Sequence, residues 1–139
     1  MRLLVCLAVL LALAPAHVMA EEPTPARPLA ASPCETRDSS FDTKEIRCAI
    51  PVAGHAQRFR LTVTFSGGHD DTNARMTLHL DEDDLNCDAG SKTRLVGEDG
   101  DISLICLFSV PARTQGLFVL RSDVTWSHAQ YTGHVFEAL

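Results

Sequence analysis

Residues 70–101 hold ten carboxylates (Asp70, Asp71, Asp81, Glu82, Asp83, Asp84, Asp88, Glu98, Asp99 and Asp101) against three bases, Arg75, Lys92 and Arg94. Negative charge at this density can steer a basic protein, hold a cation or supply acid–base groups. The run Asp81-Glu82-Asp83-Asp84 is its densest part and the first candidate for contact with a basic partner. Asp84-x-Asn86-x-Asp88 opens like a calcium loop, with Asp81 or Asp83 as possible helpers, but the match stops there. An EF-hand needs Gly at its sixth position and Glu at its twelfth, where this chain has Ala89 and Leu95. An Asx-rich turn is therefore the expectation, with calcium binding as the alternative.

Catalytic chemistry has less support. His55, His69, His79, His128 and His134 show no H-x-H or H-x-x-x-H spacing, so neither zinc nor copper is indicated. Ser66, His69 and Asp70 share one glycine-rich loop, which cannot separate a nucleophile, a base and an orienting acid. No G-x-S-x-G, H-E-x-x-H or phosphate loop occurs. The expectation is a non-enzymatic protein without a cofactor.

Residues 1–20, MRLLVCLAVLLALAPAHVMA, have the layout of a secretory signal, with Arg2, an apolar core from Leu3 to Ala14, and Val18-Met19-Ala20 before the cut. Twelve apolar residues are too short for a hydrocarbon layer of about 30 Å, so no transmembrane segment is expected after cleavage. The full chain has 18 acids and 12 Lys or Arg, a net −6. Loss of Arg2 takes the exported form to −7, which argues against nucleic acid or an anionic membrane as partner.

Cleavage also removes Cys6 and leaves Cys34, Cys48, Cys87 and Cys106, an even number in an oxidising compartment. Two disulfides are expected. A zinc site lacks the close C-x-x-C pairs it needs. Sequential pairing, Cys34 with Cys48 and Cys87 with Cys106, closes the short loops. The rival joins Cys48 to Cys106, both on apolar strand faces, and would staple a sandwich through its middle.

The segment Trp126–Phe136 contains the only Trp and the only Tyr of the chain. Tyr131, Thr132, Gly133, His134 and Phe136 are candidate contact residues, because rigid aromatic groups anchor protein interfaces. Trp126 is expected in the core. Thr132-Gly133-x-x-Phe136 resembles the Ser-Gly-x-x-Tyr loop signature of bacterial periplasmic lysozyme inhibitors, with Thr for Ser and Phe for Tyr, over five residues. The resemblance implies an exported β protein that obstructs the lysozyme cleft with such a loop.

The elements that must position these residues read as strands. Residues 21–33 contain four of the seven prolines and suit a flexible leader. Residues 34–139 read as a single domain. Period-two alternation marks strands at 45–51, 57–66, 74–80, 92–96, 101–110, 116–126 and 129–136. Gly97-Glu98-Asp99-Gly100 is expected to close a hairpin between the fourth and fifth of these. No apolar stripe keeps helical spacing. The expectation is an all-β fold, a small antiparallel sandwich or barrel of about seven strands with two disulfides.

These features point to an exported protein-binding module of the bacterial periplasm or envelope with a basic protein partner. The alternatives are an inhibitor of a basic hydrolase such as lysozyme, a calcium- or transition-metal-binding domain, and a structural subunit of an envelope assembly.

Overall fold

The computed structural model describes residues 34–88 and 94–139; the expected signal (1–20), the leader (21–33), Ala89 and Lys92 lie outside them. Nine strands make up the described fold: β1 (Glu35–Ser40), β2 (Thr43–Pro51), β3 (Gln57–Gly68), β4 (Asn73–Leu80), β5 (Asp83–Leu85), β6 (Arg94–Val96), β7 (Gly100–Val110), β8 (Leu117–Ser127) and β9 (Gln130–Ala138). They form two sheets. The larger has the order β1-β2-β8-β4-β5, with β6 also on β4, and the smaller has the order β7-β3-β9. Every pairing is antiparallel.

The sandwich follows from the alternation. Ile46, Cys48 and Ile50 on β2, Met76 and Leu78 on β4, and Leu120 and Val124 on β8 meet Phe59, Leu61, Val63 and Phe65 of β3 and Leu104, Cys106 and Phe108 of β7. A one-residue slip in any of these strands would turn its apolar set to water, so burial fixes the register. Arg58, Arg60, Thr62 and Thr64 face outward from β3, as period two requires.

Both disulfides are sequential, Cys34–Cys48 and Cys87–Cys106. They do different things. Cys34 extends β1 opposite Cys48 on β2, so the first bond lies within one sheet. The second joins the chain just after β5 to β7 and therefore crosses between the sheets. It staples one side of the sandwich, where the Asp88 amide also bonds to the Leu107 carbonyl at 2.7 Å.

Three strand expectations need correction. β1 is an unforeseen strand, exposed along all six residues, so no burial alternation announces it. β5 is also additional and turns the acidic run into a hairpin. Gly97–Gly100 does not close a hairpin, because β6 pairs with β4 in one sheet and β7 with β3 in the other. Gly68 permits this crossing: a Cβ there would stand 2.7 Å from the Glu98 carbonyl oxygen.

Candidate functional site

The ten carboxylates of residues 70–101 do not form one patch. Along β4, Ala74 lies opposite Trp126 and Leu80 opposite Leu120. The six-residue separation puts the two ends of this strand about 20 Å apart. Asp81–Asp84 lie beyond the Leu80 end, and Asp70 and Asp71 precede the other.

At the first end, Asp81 and Glu82 both have positive φ, 49° and 73°, as the central residues of a tight hairpin turn. Their side chains are engaged. Asp81 accepts the Val119 amide at 2.8 Å and pairs with Arg113 at 2.9 Å. The Val119 amide, helped by Arg113, holds the Asp81 carboxyl below its ordinary range. Glu82 pairs with Arg121 at 2.7 Å, and Asp84 meets His79 at 3.0 Å. Asp88 reaches Arg58 at 3.6 Å. This turn is largely neutralised by its neighbours, and Asp84 and Asp88 are committed to different partners.

The opposite end gathers a different set. The Gly97 amide bonds to the Thr72 carbonyl at 2.6 Å, and the Trp126 amide to the Asp42 carbonyl at 3.0 Å. The buried Thr72 hydroxyl donates to the His128 carbonyl at 2.9 Å. These bonds bring the turns at 41–42, 69–72, 97–100 and 128–129 together. Asp42, Asp70, Asp71, Glu98, Asp99 and Asp101 are all exposed there, and none joins an ion pair among the described residues.

Phe41, at the tip of the β1–β2 hairpin, is 100% exposed. Beside it opens a cleft of about 560 Å³, lined by Asp38, Ser40, Phe41, Lys44, Trp126, Ala129, Gln130 and Tyr131. Trp126 and Tyr131 stack in its wall with ring centroids 5.8 Å apart, and Lys44 lies 4.8 Å from the centre of the Tyr131 ring. Lys44 also pairs with Asp38. Burial, with the Asp38 charge, raises the Tyr131 phenol. Burial, with the Lys44 charge, lowers His134, whose Nδ1 is 2.8 Å from the Tyr131 hydroxyl.

The residues singled out near the C-terminus separate by strand face. Thr132–Phe136 lie in β9, paired with β3, and not in a projecting loop. Tyr131, His134 and Phe136 turn toward the core. Phe136 stacks on Phe59 at 5.3 Å and on Phe108 at 6.3 Å. Thr132 is exposed and bonds to the Thr64 hydroxyl at 3.0 Å, and Gly133 lies opposite Thr64. Trp126 is half-buried, packed on Phe65 at 5.7 Å while lining the cleft.

His69 and His128 stand 5.2 Å apart, yet no group of three or more His, Cys, Asp or Glu converges to hold a metal among the described residues. No helix among them is long and apolar enough to cross a membrane. The two disulfides are consistent with an oxidising, exported environment. Phe41 and Asp42 went unnoticed in the sequence. The available signal was one large apolar residue inside the polar run Asp38-Ser39-Ser40-Phe41-Asp42-Thr43, with no alternating partner. Comparison with protein-family models, curated proteins and solved structures finds no match to this chain.

Proposed function

We propose that this chain is a non-enzymatic, exported protein-binding domain that engages a basic partner through the end of the sandwich bearing Phe41. One observation carries the reading: a phenyl ring 100% exposed at a hairpin tip, beside an aromatic cleft. Exposing a Phe side chain forfeits about 2 kcal/mol of burial. A partner that covers Phe41 recovers that energy, and the hairpin fixes where on the surface the residue is presented. The carboxylates at this end that are unpaired within the described fold, Asp42 next to Phe41 among them, give the attraction its sign. A bacterial periplasm or envelope remains the proposed setting, on the strength of the export signal and the disulfides.

Lysozyme, a basic hydrolase, is the sharpest form of this reading. Here the contact would run through Phe41 and its acidic surround, since Thr132–Phe136 are engaged in β9. The test is binding of the disulfide-intact protein to a panel of basic secreted and envelope proteins, several lysozymes included. Phe41→Ala should keep the fold and weaken capture at least about tenfold, the loss expected of an interface anchor. Full affinity in Phe41→Ala would remove this end as the contact, and no binding across the panel would remove the basic-partner reading.

A further inference from the structure

The two long sides of the sandwich are finished differently. On the β7 side the chain after β5 is tied across by Cys87–Cys106 and by the Asp88 amide on the Leu107 carbonyl. On the other side β9 pairs only with β3 among the described residues. It packs over β2, where Lys44 sits against the Tyr131 ring. β1 then extends one strand further out than β9, and all six of its residues are exposed. Nothing among the described residues covers its inner face.

The unused hydrogen bonds can be assigned. The Leu139 amide bonds to the Arg58 carbonyl at 2.9 Å. Alternation along an antiparallel ladder then turns the main-chain groups of Gly133, Val135 and Glu137 toward β3 and those of His134, Phe136 and Ala138 toward the open edge. A strand laid against them, about 4.8 Å from β9, would lie directly over β1.

From this strand position, which no described residue fills, we infer that the protein binds an extended, basic segment of its partner by β-strand addition to the outer edge of β9, over the floor formed by β1. The inference rests on the protein-binding reading above and names how the partner is held. Main-chain pairing supplies affinity, and the flanking surfaces supply selectivity. At the Gln130 end the added strand enters the Phe41–Trp126–Tyr131 cleft next to the exposed Asp42, and along the floor it passes Asp38, which pairs with Lys44 yet stays 73% exposed. Both favour Lys or Arg alternating with apolar residues. A second copy does not fit this edge. Two chains sharing β9 edges would bring the β1 of each into the space held by β2 of the other.

The probes are a synthetic Lys-Val alternating peptide, its Glu-Val counterpart, and two forms of the Lys-Val peptide N-methylated on opposite sets of alternate amides. Binding is followed through the fluorescence of Trp126, the single Trp of the chain, and through amide hydrogen exchange. The Lys-Val peptide should bind, slow the exchange of His134, Phe136 and Ala138, and outcompete the Glu-Val peptide. One methylated form should lose at least about tenfold in affinity, equivalent to one or two main-chain bonds, while the other is retained. His134→Pro removes one outward amide and should weaken binding similarly; if that variant misfolds, the methylated pair decides. Equal binding of the two methylated forms, or protection at Phe41 with β9 unchanged, would overturn strand addition and leave the protein-binding reading standing. Sedimentation showing a dimer abolished by the Lys-Val peptide would overturn it in favour of self-association.

Discussion

Ser122 sits at 0% exposure on β8, and its hydroxyl has no hydrogen-bond partner among the described residues. A buried hydroxyl that has lost water without gaining a partner is a cost to the fold. Ser122→Ala should therefore be neutral or raise stability by up to about 1 kcal/mol. Chemical denaturation would check it, and a loss of 1 kcal/mol or more would mean that the hydroxyl is satisfied in solution.

His134 gives a residue-level pH prediction. Burial and the neighbouring Lys44 charge hold its imidazole below the ordinary 6.5, so the unfolded chain takes up the proton more readily. The stability it contributes is present above about pH 6.5 and is lost as the pH falls through the lowered folded value. Protonation makes Nδ1 a donor, so its 2.8 Å contact with the Tyr131 hydroxyl must then run from the ring to the phenol oxygen. His134→Gln should flatten the stability profile just below pH 6.5, as read by thermal melts across that range. An unchanged slope would place the acid sensitivity elsewhere.

At the scale of the element, β9 joins a core role to an edge role. The Phe136 ring stacks on Phe59 and Phe108, so Phe136→Ala should cost about 2–4 kcal/mol, somewhat less than for a fully buried ring. Urea denaturation would measure it. A smaller cost than 1 kcal/mol would mean that the three-ring stack is not part of the core. The β4–β5 turn shows a different economy, with two non-glycine residues at positive φ and their carboxylates bonded to β8 and Arg113. Asp81→Asn keeps a residue tolerant of left-handed backbone and an acceptor for the Val119 amide, whereas Asp81→Ala loses both. The melting temperature should fall further for Ala than for Asn; the reverse order would show that the carboxylate charge dominates.

For the molecule as a whole, the two acidic ends make opposite predictions. Asp70, Asp71, Glu98, Asp99 and Asp101 are free of ion pairs within the described fold, so neutralising them together should slow association with a basic partner and reduce its salt dependence, with little change in stability. Neutralising Asp81, Glu82 and Asp84 breaks contacts to Arg113, Arg121 and His79 and should act mainly on stability. Stopped-flow association at two ionic strengths, beside thermal melts, separates them. Equal kinetic effects from both ends would end the argument for directed steering.

What could be read without the structure was whatever period two encodes. The apolar faces of β2, β3, β4, β7 and β8 were legible because each strand must bury every second residue. Two disulfides were legible from four cysteines in a chain with an export-like start, but their sequential pairing was one of two left open, and the tertiary structure decided it. β1 was not: exposed on both faces, it has no hydrophobic pattern to betray it and is held by its ladder to β2 and by Cys34–Cys48. The run at 70–101 declared its charge but not its division. Strand direction alone decides which turns share an end, and it puts Asp42, Asp70 and Asp99 at the Phe41 end of the sandwich while taking Asp81–Asp84 about 20 Å away along β4. Composition and alternation are local properties of the chain, and they determined a disulfide-bonded, acidic β domain. Which edges and which charges the described fold leaves without partners depended on residues far apart in sequence meeting across two sheets.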